Sequence, residues 1–414
     1  MKVLGIVAEF NPFHNGHRYL IESARQLYPD SAAICVMSGH FLQRGEPALI
    51  NKWARAEMAV HGGIDLVLEL PLVFSVRSAY YFARYSLMML AKTGLVTHLA
   101  FGSESGRQQE LQTIAHILAD EPAEYRQQLK AFLQQGYSFP AARSQALQAF
   151  LGNYERDCHS MLSQPNNILA LEYLRVIKEL QLNIEPIVVA RQGSFHSPEL
   201  NQFASATAIR QALRQKIDIS NLNPVLPPSS LKILEREMKK GNGPVFDNDL
   251  ASLIFYRLRT ITLQELSEIY EITEGIENRV KEAALRCGTL DELKHAIKSK
   301  RYSMTKINRL LIYSLLNIKA GQVDVFDGTG PLYYHVLAFS RRGQYLLQQM
   351  QHKSELPILS RGSQVKEAFD GKLGLSVQSM ISLDIMATDL YNLLLPNPSL
   401  RSGRLDFTSS PRPI

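Results

Sequence analysis

The stretch GIVAEFNPFHNGHRYLIESARQ, residues 5–26, decides the fold. An apolar, strand-like run from Val3 to Ala8 breaks through Asn11-Pro12-Phe13, then sets His14 and His17 around Asn15-Gly16 where an amphipathic helix begins. A core strand joined to a helix by an ordinary turn needs one glycine or asparagine; it has no use for two imidazoles three residues apart. In a parallel α/β sheet, ligands sit beyond the carboxyl ends of the strands, where helix N-termini offer unpaired N–H groups and partial positive charge. Pro12 stiffens the approach, Gly16 lets the backbone come close, and both rings can direct N–H donors into one volume. The stretch therefore reads as a phosphate site. The plainer alternative is a turn whose histidines cap the helix or face solvent.

The surrounding pattern agrees. Val3–Ala8, Ala32–Met37, Leu66–Leu70, His98–Phe101 and Ile184–Ala190 are strand-like, and amphipathic stretches at Tyr19–Tyr28, Trp53–His61 and Tyr80–Ala91 separate the first four. Alternation of this kind predicts right-handed crossovers and a Rossmann-like, doubly wound parallel sheet over residues 1–215, with a mostly helical insertion at 107–180. NPVLPPSS, residues 223–230, reads as a linker. Residues 216–414 then read as a mainly α-helical C-terminal region, with short strands near Leu337–Phe339 and Pro357–Leu359 and a mobile tail from Arg401.

A chain of 414 residues with 45% hydrophobic and 20% charged residues has the composition of a globular protein. No apolar run is long enough to span a bilayer, and the first residues turn polar too early for a signal peptide. Cys35, Cys158 and Cys287 match no metal spacing and suggest a reduced, cytoplasmic setting. A net charge of +6 permits a polyanionic partner without requiring one.

Several other blocks bear on the site. FASATAIRQALRQ, residues 203–215, places Ser205 and Thr207 at a helix start with Arg210 on the first turn. A cation there is out of place unless an anion is bound, although a simple helix cap is the alternative. MSGHFLQRGEPALINKWARAEMA (37–59), FGSES (101–105) and SQPNNILALEYL (163–174) each follow a strand or open a helix. Arg44, Lys52 and Arg55 read as solvated charges or, alternatively, as contacts to pyrophosphate or an RNA backbone. From Lys294 to Arg309 the chain reads KHAIKSKRYSMTKINR, with six Lys or Arg and no acid. That is a solvated face or an RNA-phosphate track made by Lys294, Lys298, Lys300, Arg301, Lys306 and Arg309. Arg341-Arg342 is a weaker second candidate.

The H-x-G-H pattern and SATAIR resemble the signatures of the nucleotidylyltransferase superfamily. Together with EFNPFHNGH, SGHFLQRGEPA and KRYSMTKINRLLIYSLL, they resemble the bacterial tRNA(Met) cytidine acetate ligase family across the N-terminal half and into the helical half. That resemblance implies activation of acetate by ATP to acetyl-adenylate, then acetyl transfer to the N4 amine of the wobble cytidine of elongator tRNA(Met), without coenzyme A. It implies nucleotide contacts along Val7, Ala8, Glu9, Phe10, Asn11, Pro12, Phe13, His14, Asn15, Gly16, His17, Arg18, Tyr19 and Leu20. Further contacts fall on Gly102, on Asn166 or Asn167, and on Arg191, with Ser205 and Arg210 closing the site. His14 and His17 are the expected catalytic pair; no protein metal site is expected, Mg²⁺ arriving with ATP. Rival readings are a small-molecule nucleotidylyltransferase and a non-catalytic ATP- and RNA-binding factor. The oligomeric state is left open.

Overall fold

The computed structural model describes residues 1–152, 161–162, 164–192, 200 and 202–414. Cys158 and most of the 193–201 segment lie outside that set. One eight-stranded sheet runs through the molecule in the order β5-β4-β1-β2-β3-β6-β7, with β8 also paired to β6. The strands are β1 (Val3–Ala8), β2 (Ala32–Ser38), β3 (Leu66–Leu70), β4 (His98–Ser103), β5 (Glu185–Ala190), β6 (Tyr334–Phe339), β7 (Ile358–Leu359) and β8 (Arg412–Pro413).

The first five strands are parallel, with Val3 opposite Ala32 and Ile34 opposite Leu66. Every residue of β2 is buried, as a strand covered on both faces requires. Its side chains alternate between two cores. Ala32, Ile34 and Val36 join one cluster, while Ala33, Cys35 and Met37 join the other. Helices α1 (Asn15–Leu27) and α2 (Lys52–His61) follow β1 and β2. The 107–180 insertion is helical in its described residues, ending in the helix Pro165–Glu179.

Beyond residue 215 the chain remains part of the same body. The NPVLPPSS segment is not a free linker: Val225 and Leu226 are buried, and the Val225 carbonyl accepts the Asn15 N–H at 3.1 Å. Strand β6 is antiparallel to β3, so the outer edge of the N-terminal sheet is closed by residues more than two hundred positions away. The tail expected to be mobile is instead tied down. Asp406 is buried, and β8 pairs with β6.

Asp406 also overturns the solvated reading of Lys52. The Lys52 ammonium is fully buried, 2.8 and 2.9 Å from the two Glu69 oxygens and 2.6 Å from Asp406 Oδ1. His335 Nδ1 shares Glu69 Oε2 at 2.6 Å. Glu69, His335 and Asp406 have the composition of a metal site, but the Lys52 ammonium already supplies the cation among the two carboxylates. Arg55 is buried too, donating to the backbone carbonyls of Glu9, Ser38, Gly39 and Ile50. Neither side chain is free to meet a ligand, because each is consumed holding the loops around it. Gly39 is glycine for the same reason: a Cβ there would fall on the Glu69 carboxylate.

Candidate active site

Strand order reverses between β1 and β4, and a cleft of about 740 Å³ opens beyond their carboxyl ends. His14 is the N-cap of α1. Its Nδ1 accepts the Gly16 N–H at 3.0 Å, and His17 Nδ1 accepts the His14 N–H at 3.2 Å. A ring nitrogen that accepts a backbone N–H carries no proton, so each neutral imidazole keeps its proton on Nε2. The two rings stack with centroids 3.8 Å apart, and the Phe10 ring meets His17 edge-on at 4.9 Å. A Cβ at residue 16 would lie 2.8 Å from the His14 ring, which explains the glycine between the histidines.

Burial, aided by the Arg191 and Arg210 charges, depresses the His14 pKa to about 3. Burial, then His14 and Arg191, likewise hold His17 well below its ordinary value. The pair is therefore neutral near pH 7 and presents fixed Nε2–H donors without a charge of its own. An imidazole kept neutral in the fold binds its proton more readily once the chain unfolds. Stability is unaffected by these groups above about pH 6.5 and declines as pH falls below it. The urea midpoint should accordingly drop between about pH 7.5 and pH 5, and drop less in His14→Asn. Equal drops in both proteins would show that His14 titrates freely.

The helix Ala206–Arg214 faces this pair. Ser205 caps it, its hydroxyl accepting the Ala208 N–H at 3.2 Å. Arg210 donates to the Asn11 carbonyl at 3.0 Å and to Thr207 Oγ1 at 3.3 Å, with Glu46 at 3.7 Å. Arg191 follows β5, donating its N–H to Ser103 O at 2.9 Å and passing its side chain beside Gly102. Burial lowers the pKa of both guanidiniums, opposed by Glu104 for Arg191 and chiefly by Glu46 for Arg210. Two cations and two neutral donors thus converge on one cleft, an arrangement suited to a polyphosphate.

The sequence-predicted residues divide by role. Val7, Ala8, Glu9, Phe10, His14, Gly16, His17, Tyr19 and Leu20 line the cleft, as do Gly102, Asn166, Arg191, Ser205 and Arg210. Six others stand behind or outside it, Asn167 among them. Asn11 is buried and accepts the Leu49 N–H at 2.7 Å, Pro12 is buried beside it, and Phe13 packs against Gly62. The Asn15 side chain donates to Pro224 O at 2.9 Å, and Arg18 pairs with Glu22 on the surface. Asn166 and Asn167 differ in their place beside the cleft. Asn167 is fully buried, its Oδ1 gathering the Ser103 hydroxyl and the Glu104 and Ser105 N–H groups, while Asn166 borders the cleft.

The basic stretch is split. Lys294 is buried in an ion pair with Asp247, 3.0 Å apart, and Arg309 is buried with Glu271 at 3.4 Å. Lys298, Lys300 and Arg301 are exposed on the break between the helices Leu290–Ile297 and Met304–Leu315, and Lys306 lies 4.2 Å over the Tyr302 ring. Arg309, with Ser303 and Thr305, reaches the same cleft as His14. Sequence reading missed Ser303 and Thr305, and it missed Gln43 and Glu46, whose one signal was their place in SGHFLQRGEPA.

Two histidines sit at the first strand–helix junction of a doubly wound sheet, and the HIGH Nucleotidyl Transferase family model matches residues 1–405, which places the chain among nucleotidyl transferases. The chain is 52% identical to the tRNA(Met) cytidine acetate ligase of Syntrophomonas wolfei over the whole of both proteins. It is 39% identical to that of Halothermothrix orenii, with 98% of each covered. Among solved structures it resembles Thermotoga maritima TmcAL bound with alpha-thio ATP, at 36% identity and a TM-score of 0.92 over the full length of both chains. The apo form of that protein gives a TM-score of 0.94. The chain belongs to the tRNA(Met) cytidine acetate ligase family, and it is a ligase of the nucleotidyltransferase fold. Among the described residues, no helix is long and apolar enough to cross a membrane.

Proposed function

We propose that this enzyme makes acetyl-adenylate from acetate and ATP in the His14–His17 cleft, then passes the acetyl group to the N4 amine of the wobble cytidine of elongator tRNA(Met). In the first step an acetate oxygen bonds to the α-phosphorus, and the bridge to the β-phosphate breaks to release pyrophosphate. In the second, N4 bonds to the acetyl carbon, the carbon–oxygen bond to AMP breaks, and N4 gives up a proton. The observation that carries the reading is the convergence of two neutral Nε2–H donors with Arg191 and Arg210. These groups meet charge as it grows on the α-phosphoryl oxygens and the leaving pyrophosphate. Mg²⁺ would arrive with ATP, and coenzyme A has no part. The reaction belongs in the cytoplasm with its tRNA.

The test is exchange of radiolabelled pyrophosphate into ATP. It should require acetate and should not require tRNA. Exchange that needs another acid or a phosphorylated metabolite would replace this reading with that of a small-molecule transferase.

Contact with tRNA is assigned to Lys298, Lys300 and Arg301, the exposed members of the basic stretch, with Lys306 beside them. Lys294 and Arg309 serve it indirectly by fixing the two helices through their ion pairs. Neutralising Lys298, Lys300 and Arg301 together should weaken tRNA binding by about tenfold or more near physiological salt. It should also flatten the salt dependence by up to about three phosphate contacts, leaving exchange unchanged. An unaltered salt slope in a filter-binding titration would reduce the stretch to a solvated face.

A further inference from the structure

The second step needs an acceptor for a proton, and the cleft offers few. Cytosine N4 is conjugated with its ring and is a weak nucleophile; on bonding to the acetyl carbon it becomes cationic and must lose a proton. The histidines do not serve, because each Nδ1 already accepts a backbone N–H and each Nε2 carries the proton. Among the described residues, three carboxylates line the cleft: Glu9, Glu46 and Glu172. Glu172 is buried against Arg143 and Arg175, and Glu46 lies 3.7 Å from Arg210. Glu9 differs. Its Oε1 accepts the neutral Gln43 N–H at 2.8 Å, and no ion pair holds it among the described residues.

We propose that Glu9 receives the exocyclic amine of the target cytidine, accepting an N4–H and taking that proton as N4 closes on the acetyl carbonyl. The carbon–oxygen bond to AMP breaks, the AMP phosphate leaves as an anion, and the proton on Glu9 passes to water. A carboxylate is the usual partner of cytosine N4 in protein–nucleic acid contacts, so one side chain both recognises the amine and activates it. The inference rests on the acetyl-adenylate reading above and supplies a group that reading lacks.

Glu9 is built for a fixed position. It directly follows β1, and its carbonyl is clamped by the buried Arg55 guanidinium. Phe10, immediately after it, takes a left-handed conformation with φ 46°, costly for an aromatic residue and retained only under such constraint. The carboxylate's own donor is anchored as well: the Gln43 side chain donates to Arg77 O at 2.8 Å, and Arg77 is forked onto Asp327 at 2.8 and 3.0 Å. Among the described residues, the charged and titratable groups facing Glu9 are Arg44 and Glu46 from the loop after β2, Arg55 from α2, Arg210 from the opposite helix, and Tyr173 from the helix Pro165–Glu179. Burial raises the Glu9 pKa, opposed by the Gln43 N–H, Arg44 and Arg210. The basic form is lost as pH falls through that raised value, so acetyl transfer slows on the acid side.

The experiment separates the two half-reactions in the full-length enzyme. Acetate-dependent exchange and single-turnover transfer to tRNA from preformed acetyl-adenylate are measured across pH for wild type, Glu9→Gln and Glu9→Asp. Glu9→Gln keeps an oxygen that accepts N4–H but cannot take its proton. Transfer should therefore fall by about 10²-fold or more, well beyond any loss of exchange, with the acid limb flattened. Glu9→Asp restores a carboxylate and should recover both the acid limb and part of the rate. Transfer by Glu9→Gln at the wild-type rate, or with the wild-type acid limb, overturns the proposal. So does an equal loss of exchange and transfer, which would make Glu9 part of the nucleotide site alone. Absence of acetate-dependent exchange in the wild type removes the underlying reading, a failure visible before any variant is made.

Discussion

His14→Ala is expected to lower acetate-dependent ATP–pyrophosphate exchange by about 10²- to 10³-fold, and His17→Ala by a similar factor, the loss typical of one fixed donor to a developing oxyanion. The difficulty with alanine at residue 14 is that it removes two things. His14 also caps α1 by accepting the Gly16 N–H, and loss of a cap alone costs about 1 kcal/mol of stability. His14→Asn separates the two roles. Asparagine is a good N-cap whose side-chain oxygen can accept from the first turn, yet it cannot reach as far as imidazole Nε2. The asparagine variant should keep the wild-type unfolding midpoint near pH 7.5 and still lose exchange. Retention of exchange in His14→Asn would leave the histidine a helix cap and nothing more. Because the ring is held neutral down to about pH 3, exchange should also show no inflection near pH 6.5 arising from His14.

The largest effect on stability is expected at Lys52, far from the reaction. Lys52→Met nearly preserves side-chain volume and leaves the Glu69 and Asp406 carboxylates buried without their shared ammonium. Breaking a buried ion pair from one side costs about 3–5 kcal/mol, because an uncompensated charge remains in the interior. Glu69 is now held well below the usual carboxylate range mainly by Lys52, with His335 helping, against the opposing effect of burial. Urea unfolding should show the loss directly. Adding Glu69→Gln and Asp406→Asn to the methionine variant should return part of it, since replacing every member of such a group removes the stranded charge. A Lys52→Met midpoint within about 1 kcal/mol of wild type would mean that water or rearrangement supplies the missing partner.

That network also marks where sequence reading stops. Strands β1 and β3 and the start of α1 were legible because their signals are local: an apolar run, a break, a helix period; the His14 cap stood there only as the plainer alternative to a phosphate site. Arg210 was legible as a cation set at the wrong end of a helix. Lys52 and Arg55 were not, since a charged side chain in an amphipathic stretch looks solvated until its partners are known. Those partners lie at residues 69 and 406 for one, and on carbonyls just after β1, at the end of β2 and in the β2–α2 connection for the other. Lys294 and Arg309 failed as surface charges for the same reason, each answered by an acid from a distant element. The tail from Arg401 carries no apolar period, yet Asp406 holds it in place by charge.

The pairing of β6 with β3 has a bearing on how the molecule is made. During synthesis, Leu66–Leu70 is complete long before Tyr334–Phe339 exists, and at about 5–20 residues per second the interval is roughly ten seconds to a minute. Through that time the nascent sheet has an apolar flank with unmatched amides, the kind of surface that recruits a neighbour's strand. A chain interrupted near residue 215 would carry that flank permanently, so the N-terminal half should precipitate or bind chaperones when expressed alone. Emergence of Tyr334–Phe339 is then what ends that vulnerability, and β6 acts as the closure of a sheet begun at β1.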